Sequence, residues 1–163
     1  ARGDRDQPSA VGQSWCHGAP GALLAAVALQ SHGFADTTNF DLWRQRALAG
    51  TLRARPRVDG LCCGTSGLLL IQELAAETFN APELGSRASQ LRESLAEKVC
   101  NRRVNLGDYF PLCYHPPGLF DGYSGVSVAL ACSGTDPHVQ TLLSYGLVPP
   151  LPQIKPQPSV RHT

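Results

Sequence analysis

A short glycine pattern occurs three times in this chain, and it constrains the fold more than any other feature. Gly18-Ala19-Pro20-Gly21, Gly64-Thr65-Ser66-Gly67 and Gly122-Tyr123-Ser124-Gly125 each run straight into an apolar stretch. The first glycines are 46 and then 58 residues apart (18 to 64, 64 to 122), so one structural unit recurs at an uneven period.

Each apolar stretch reads as a helix. Ala22 to His32 is rich in Ala and Leu and meets a stop signal at Gly33. Leu68 to Phe79 carries Leu70 and Leu74 at helical spacing and ends before Pro82, while Val126 to Cys132 is shorter and closes at Gly134. Between the glycine turns lie more polar helices. One starts at Thr38, with Asp41 three residues on, and runs to about Ala54 before Pro56; the other covers Glu83 to Arg102, with Leu84, Ala88, Leu91, Leu95 and Val99 along one stripe.

Helices that are apolar on most faces need cover on most faces, whereas amphipathic ones need it on one stripe. The sequence therefore predicts an all-α fold with an inner layer of apolar helices and an outer amphipathic layer. Three units, the last incomplete, predict an arc with an exposed apolar edge, and the start at Ala1 predicts a piece of a longer chain. The expected division is a flexible segment over 1–13, the helical domain over 14–146 and a Pro-rich tail over 147–163 that cannot be helix.

Composition narrows the function. A single domain of 163 residues can bury enough surface to fold without disulfides or metal, so a metal site here calls for a functional reason. Formal net charge +1 with 17% charged residues gives no long-range field for nucleic acid. Ala22 to Leu29, the longest apolar stretch, is far short of a membrane span of roughly 20 residues. The polar opening is no signal peptide, and six scattered Cys indicate reduced thiols and a cytoplasmic location.

Cysteines precede two of the glycine turns: Cys16 the first, Cys62 and Cys63 the second. The repeat can bring these three sulfurs to equivalent ends of neighbouring inner helices. Three thiolates make a zinc site with an open fourth position; the alternative is three small hydrophobes packed near close-approaching turns. Cys100, Cys113 and Cys132 fall outside this pattern and read as small packed hydrophobes. Arg44, Arg46, Arg53, Arg55 and Arg57 form a run without an intervening acid, which reads as a solvated helix face or as a surface steering an acidic peptide. His115 reads as a loop residue that could border a pocket.

Ser14-Trp15-Cys16-His17-Gly18-Ala19-Pro20-Gly21, Leu61-Cys62-Cys63-Gly64-Thr65-Ser66-Gly67 and Pro117-Gly118-Leu119-Phe120-Asp121-Gly122-Tyr123-Ser124-Gly125 together resemble, in order, the closing motifs of lanthionine synthetase cyclases. The style is most similar to the C-terminal cyclase domain of a class II lanthipeptide synthetase. The resemblance implies a double-layered α/α toroid with Zn2+ held by Cys16, Cys62 and Cys63. It implies that a Cys thiol of a dehydrated precursor peptide adds to dehydroalanine or dehydrobutyrine, giving a thioether ring. Many relatives have His where this chain has Cys63; a third thiolate takes the zinc site from neutral to a net charge of −1 and makes a bound thiolate more nucleophilic.

The enolate formed must be protonated, and His17 beside Cys16 is the candidate acid; the alternative is a His simply hydrogen-bonded in a tight turn. The family's further acid-base residues, a His and an Asp, come from helices upstream of the first motif, so an upstream dehydratase or cyclase region is an expected partner. Two rival readings stay open. One is a zinc-stabilised helical module that binds peptides without catalysis; the other is a relative adding glutathione-like thiols to dehydrated residues.

Overall fold

The computed structural model describes residues 13–34, 38–107 and 118–144, leaving aside the side chain of Thr38. Six helices and no strand occur among the described residues: α1 (Ala19–Ser31), α2 (Thr38–Arg53), α3 (Thr65–Phe79), α4 (Pro82–Cys100), α5 (Tyr123–Ala131) and α6 (Pro137–Ser144). The all-α expectation holds. The anticipated segment 1–13 (all but Gln13), the Pro-rich tail, Cys113 and His115 lie outside the described residues.

Each glycine turn starts its helix the same way. Gly18, Gly64 and Gly122 sit at the N-cap in extended backbone, so the helices begin three residues before the apolar runs that reveal them in sequence. The second glycine is demanded by contact. A Cβ on Gly21 would lie 2.0 Å from the Trp15 carbonyl oxygen, on Gly67 1.9 Å from that of Leu61, and on Gly125 2.1 Å from that of Leu119. Each loop thus folds back six residues onto the first turn of its helix, and only a residue without a side chain admits that approach.

The helix α3 is the centre of the core. Leu69, Leu70, Ile71 and Leu74 are fully buried, and α3 packs against α1, α4 and α5. α2 covers α1 and α4 covers α3, which is the anticipated inner and outer layering. The six helices do not by themselves trace the expected toroid. Asn80 in the left-handed region (φ 50) ends α3, and Pro82 supplies the first turn of α4, giving a tight αα hairpin.

Leu84, Ala88, Leu91 and Leu95 form the buried stripe of α4, but Val99 is 41% exposed, against expectation. The cause is length. With 19 residues α4 is roughly 28 Å long and α3, with 15, roughly 22 Å, so the last turn of α4 overhangs its partner. Cys100, in that overhang, is exposed rather than packed, while Cys132 is partly buried against the core as expected.

Sequence reasoning missed α6. Its signals are local: Asp136 accepts backbone N–H bonds from His138 (2.8 Å) and Val139 (3.4 Å), and Pro137 occupies the first helical position. α6 packs on α1, burying Val139 and Leu143. The link from α5 to α6 is tied down by Arg92, which donates to the Ala129, Leu130 and Cys132 carbonyls at the end of α5 and pairs with Glu73 at 2.7 Å. Glu73 in turn accepts from the Gly134 backbone N–H at 2.7 Å.

Two glycine-to-alanine substitutions should act with opposite signs. Gly67→Ala forces its loop off the helix and is expected to destabilise by at least about 2 kcal/mol. Gly85→Ala, whose added methyl would meet only the Ala76 Cβ at an ordinary 3.7 Å, should stabilise α4 by about 0.5–1 kcal/mol. Denaturant titration of both variants measures the difference.

Candidate metal centre

The glycine turns set the register of the site. With the glycines aligned, Cys16, Cys62 and Phe120 are equivalent, as are His17, Cys63 and Asp121. The second and third loops are joined directly: the Phe120 carbonyl accepts from the backbone N–H groups of Leu61 (2.7 Å) and Cys62 (3.0 Å). On the other side the Phe120 ring stands 5.8 Å from that of Trp15, whose neighbour is Cys16. Phe120 therefore braces both cysteine loops.

The three sulfurs meet. Cys16 and Cys63 Sγ are 3.3 Å apart, Cys63 and Cys62 Sγ 3.6 Å, and all three lie within 4.8 Å of one another. Metal–thiolate bonds of about 2.3 Å in a tetrahedron require sulfur separations of about 3.8 Å, so small adjustments would suit a metal ion. Cys16 and Cys63 are exposed and Cys62 half-buried, which overturns the reading of three small buried hydrophobes. The group can hold a metal ion.

Hydrogen bonding sorts the thiols. At Cys16, burial pushes the pKa up, but contacts with Cys62, Cys63, Ser14 and His17 outweigh it and bring the thiol down to about 7. His17 Nδ1 is 2.9 Å and Ser14 Oγ 3.7 Å from Cys16 Sγ. Burial pushes Cys62 and Cys63 up, and the neighbouring Cys16 sulfur pushes them further. Metal binding would require all three thiols to lose their protons, so affinity for a cation would rise with pH.

The Cys62-Cys63 loop is anchored by Asp59, a residue the sequence reading passed over. Its carboxylate is fully buried and accepts from Lys98 Nζ (2.7 Å), Thr65 Oγ1 (3.0 Å) and the Asn105 backbone N–H (2.8 Å). The Asp59 backbone N–H donates to the Asn105 carbonyl at 2.6 Å, and the Asp59 carbonyl accepts from Ser66 Oγ at 2.5 Å. These bonds bracket residues 60 to 64 between α3 and the end of α4. The signal in sequence is an acidic residue three positions before a Cys pair, which is too short to single out.

Two outcomes follow from this geometry. In metal-free, reduced protein the thiolate fraction of Cys16 rises as pH rises through about 7, so alkylation near neutrality should fall first on Cys16 and spare Cys62 and Cys63. Mass spectrometry of partly alkylated peptides reads this, and His17→Gln should move the midpoint upward. Asp59→Asn leaves Lys98, 39% exposed, able to hydrate, so a stability loss of about 2 kcal/mol is expected rather than the larger cost of a fully buried charge. The loosened loop should also bind metal about tenfold more weakly in chelator competition.

A family model described as lanthionine synthetase C-like protein matches residues 2–139. No curated protein and no solved structure matches the chain significantly. With the match spanning both cysteine loops and most of the third glycine turn's helical unit, the chain belongs to the lanthionine synthetase C-like family.

Proposed function

We propose that this chain is a zinc-dependent cyclase, acting on a dehydrated precursor peptide to form lanthionine or methyllanthionine thioether rings. The observation that carries the reading is the convergence of Cys16, Cys62 and Cys63 in a chain of this family. Bound zinc would supply Lewis acidity that lowers the pKa of a substrate thiol while leaving the sulfur nucleophilic. In the reaction an S–Cβ bond forms, the Cα=Cβ double bond is consumed and a proton ends on Cα, so mass is conserved.

The chain's own residues do the rest. Cys16, Cys62 and Cys63 are the ligands, and three of them leave one position for substrate. His17, whose Nδ1 lies 2.9 Å from the Cys16 sulfur, is the candidate for moving the proton that Cα receives. Trp15 and Phe120 give the site a rigid aromatic side. The thiols stay reduced in the cytoplasm, where a dehydratase region of a class II enzyme would supply the alkenes.

Elemental analysis of Cys16→Ala and Cys63→Ala tests the site, and loss of free thiol from a dehydrated precursor tests the reaction. Both variants should lose zinc, and ring closure should fall by more than about 100-fold, the upper range for changes one step removed from a metal. Zinc content indifferent to Cys16→Ala would falsify the site. Substrate whose mass rises by that of an added small thiol would replace ring closure with intermolecular addition.

A further inference from the structure

We propose that Cys16 and Cys63 form a site of reversible oxidation: a hydroperoxide joins their sulfurs in a disulfide, and the disulfide dismantles the metal centre. The pairing rests on the geometry of the sulfurs, and the loss of metal rests on the zinc reading given above.

The two residues belong to different loops, 47 positions apart, yet their sulfurs stand 3.3 Å from one another. Both are exposed, so a small oxidant reaches them. A disulfide holds its sulfurs at about 2.05 Å, so the pair must close by about 1.3 Å, which rotation of two side chains can supply. The loops themselves stay together. The Trp15 carbonyl is pressed onto Gly21 and that of Leu61 onto Gly67, while Phe120 accepts the Cys62 N–H and sets its ring against Trp15. Sulfurs held this close react as one intramolecular pair, ahead of exchange with thiols in solution.

The other pairings are less favourable. Cys62 and Cys63 have sulfurs 3.6 Å apart, but they are sequence neighbours. Successive Cα atoms are about 3.8 Å apart, below the roughly 4.4–6.8 Å that disulfides span, so a bridge between them is strained. Cys62 is also half-buried, hence less open to an oxidant than its two neighbours. Cys100 and Cys132 sit at the ends of α4 and α5, outside the sulfur cluster.

With hydrogen peroxide the steps balance as follows. One sulfur attacks the peroxide: an S–O bond forms, the O–O bond breaks, and the released oxygen leaves as water with the thiol proton. The second sulfur attacks the sulfenic acid: the S–S bond forms, the S–O bond breaks, and a second water leaves with the other thiol proton. Two electrons pass from the sulfurs to the peroxide, and a dithiol reductant returns them by exchange. Metal ligation needs thiolates, and metal-bound sulfurs stand about 3.8 Å apart rather than bonded. The bridge therefore takes two of three ligands, leaving Cys62 alone.

The test treats the whole reduced, metal-free chain with stoichiometric hydrogen peroxide, alkylates the remaining thiols under denaturing conditions, and fragments the peptides between Cys62 and Cys63. The expected product is two hydrogens lighter, links Cys16 to Cys63, carries alkylated Cys62 and is reversed by dithiothreitol. Cys62→Ser should bridge within about twofold of the unaltered rate, and Cys63→Ser at least about tenfold more slowly. Zinc-loaded chain should release zinc to a chromogenic chelator in step with bridge formation. A bridge mapped to Cys62 and Cys63 or to Cys100, sulfinic acid at Cys16 without a bridge, or equal rates in the two variants overturns the proposal. Bridging in a chain that takes up no zinc refutes the zinc reading alone, and zinc uptake without bridging refutes the oxidation site alone.

Discussion

The contact on which this structure depends is the approach of a backbone carbonyl to a glycine six residues later. It occurs at Trp15 and Gly21, at Leu61 and Gly67, and at Leu119 and Gly125, with nearly the same separation each time. Because the loop is pressed onto the first helical turn, the residues between carbonyl and helix have little freedom. That is how loop residues hold sulfur atoms in register: each cysteine precedes a helix that is itself locked in the core by Leu23 or Leu68 to Leu70.

Packing and hydrogen bonding then make the three loops into one unit. The Phe120 carbonyl takes two N–H groups from the Cys62 loop, and its ring leans on Trp15 beside Cys16. Asp59 fastens the same loop to α4 through Lys98 and Asn105. The third repeat contributes no sulfur, yet without Phe120 the two cysteine loops would lack their common brace. Electrostatics follow from the clustering, since close sulfurs cannot all ionise and the hydrogen bonds single out Cys16.

Much of the layering could be read from periodicity. Leu84, Ala88, Leu91 and Leu95 at helical spacing name the buried face of α4, and Pro82 names its start. Val99 continues that spacing but is exposed, because the period says which way a side chain faces and not whether a partner helix reaches that far. α6 escaped notice since eight residues give too short a pattern, and its stability comes from seating Val139 and Leu143 on α1.

The sequence alone determined that glycine turns precede apolar helices and that Cys16, Cys62 and Cys63 stand at matching places, because glycine and cysteine act through their own local chemistry. Tertiary structure alone decided that the sulfurs of two loops 46 residues apart come within 3.3 Å, that Asp59 is a buried anchor, and that the connectors after α2 and α4 are joined through Arg57 and Asn105. These are long-range contacts, and they arise from how helices stack and how buried polar groups find partners, neither of which is written in any short stretch of chain.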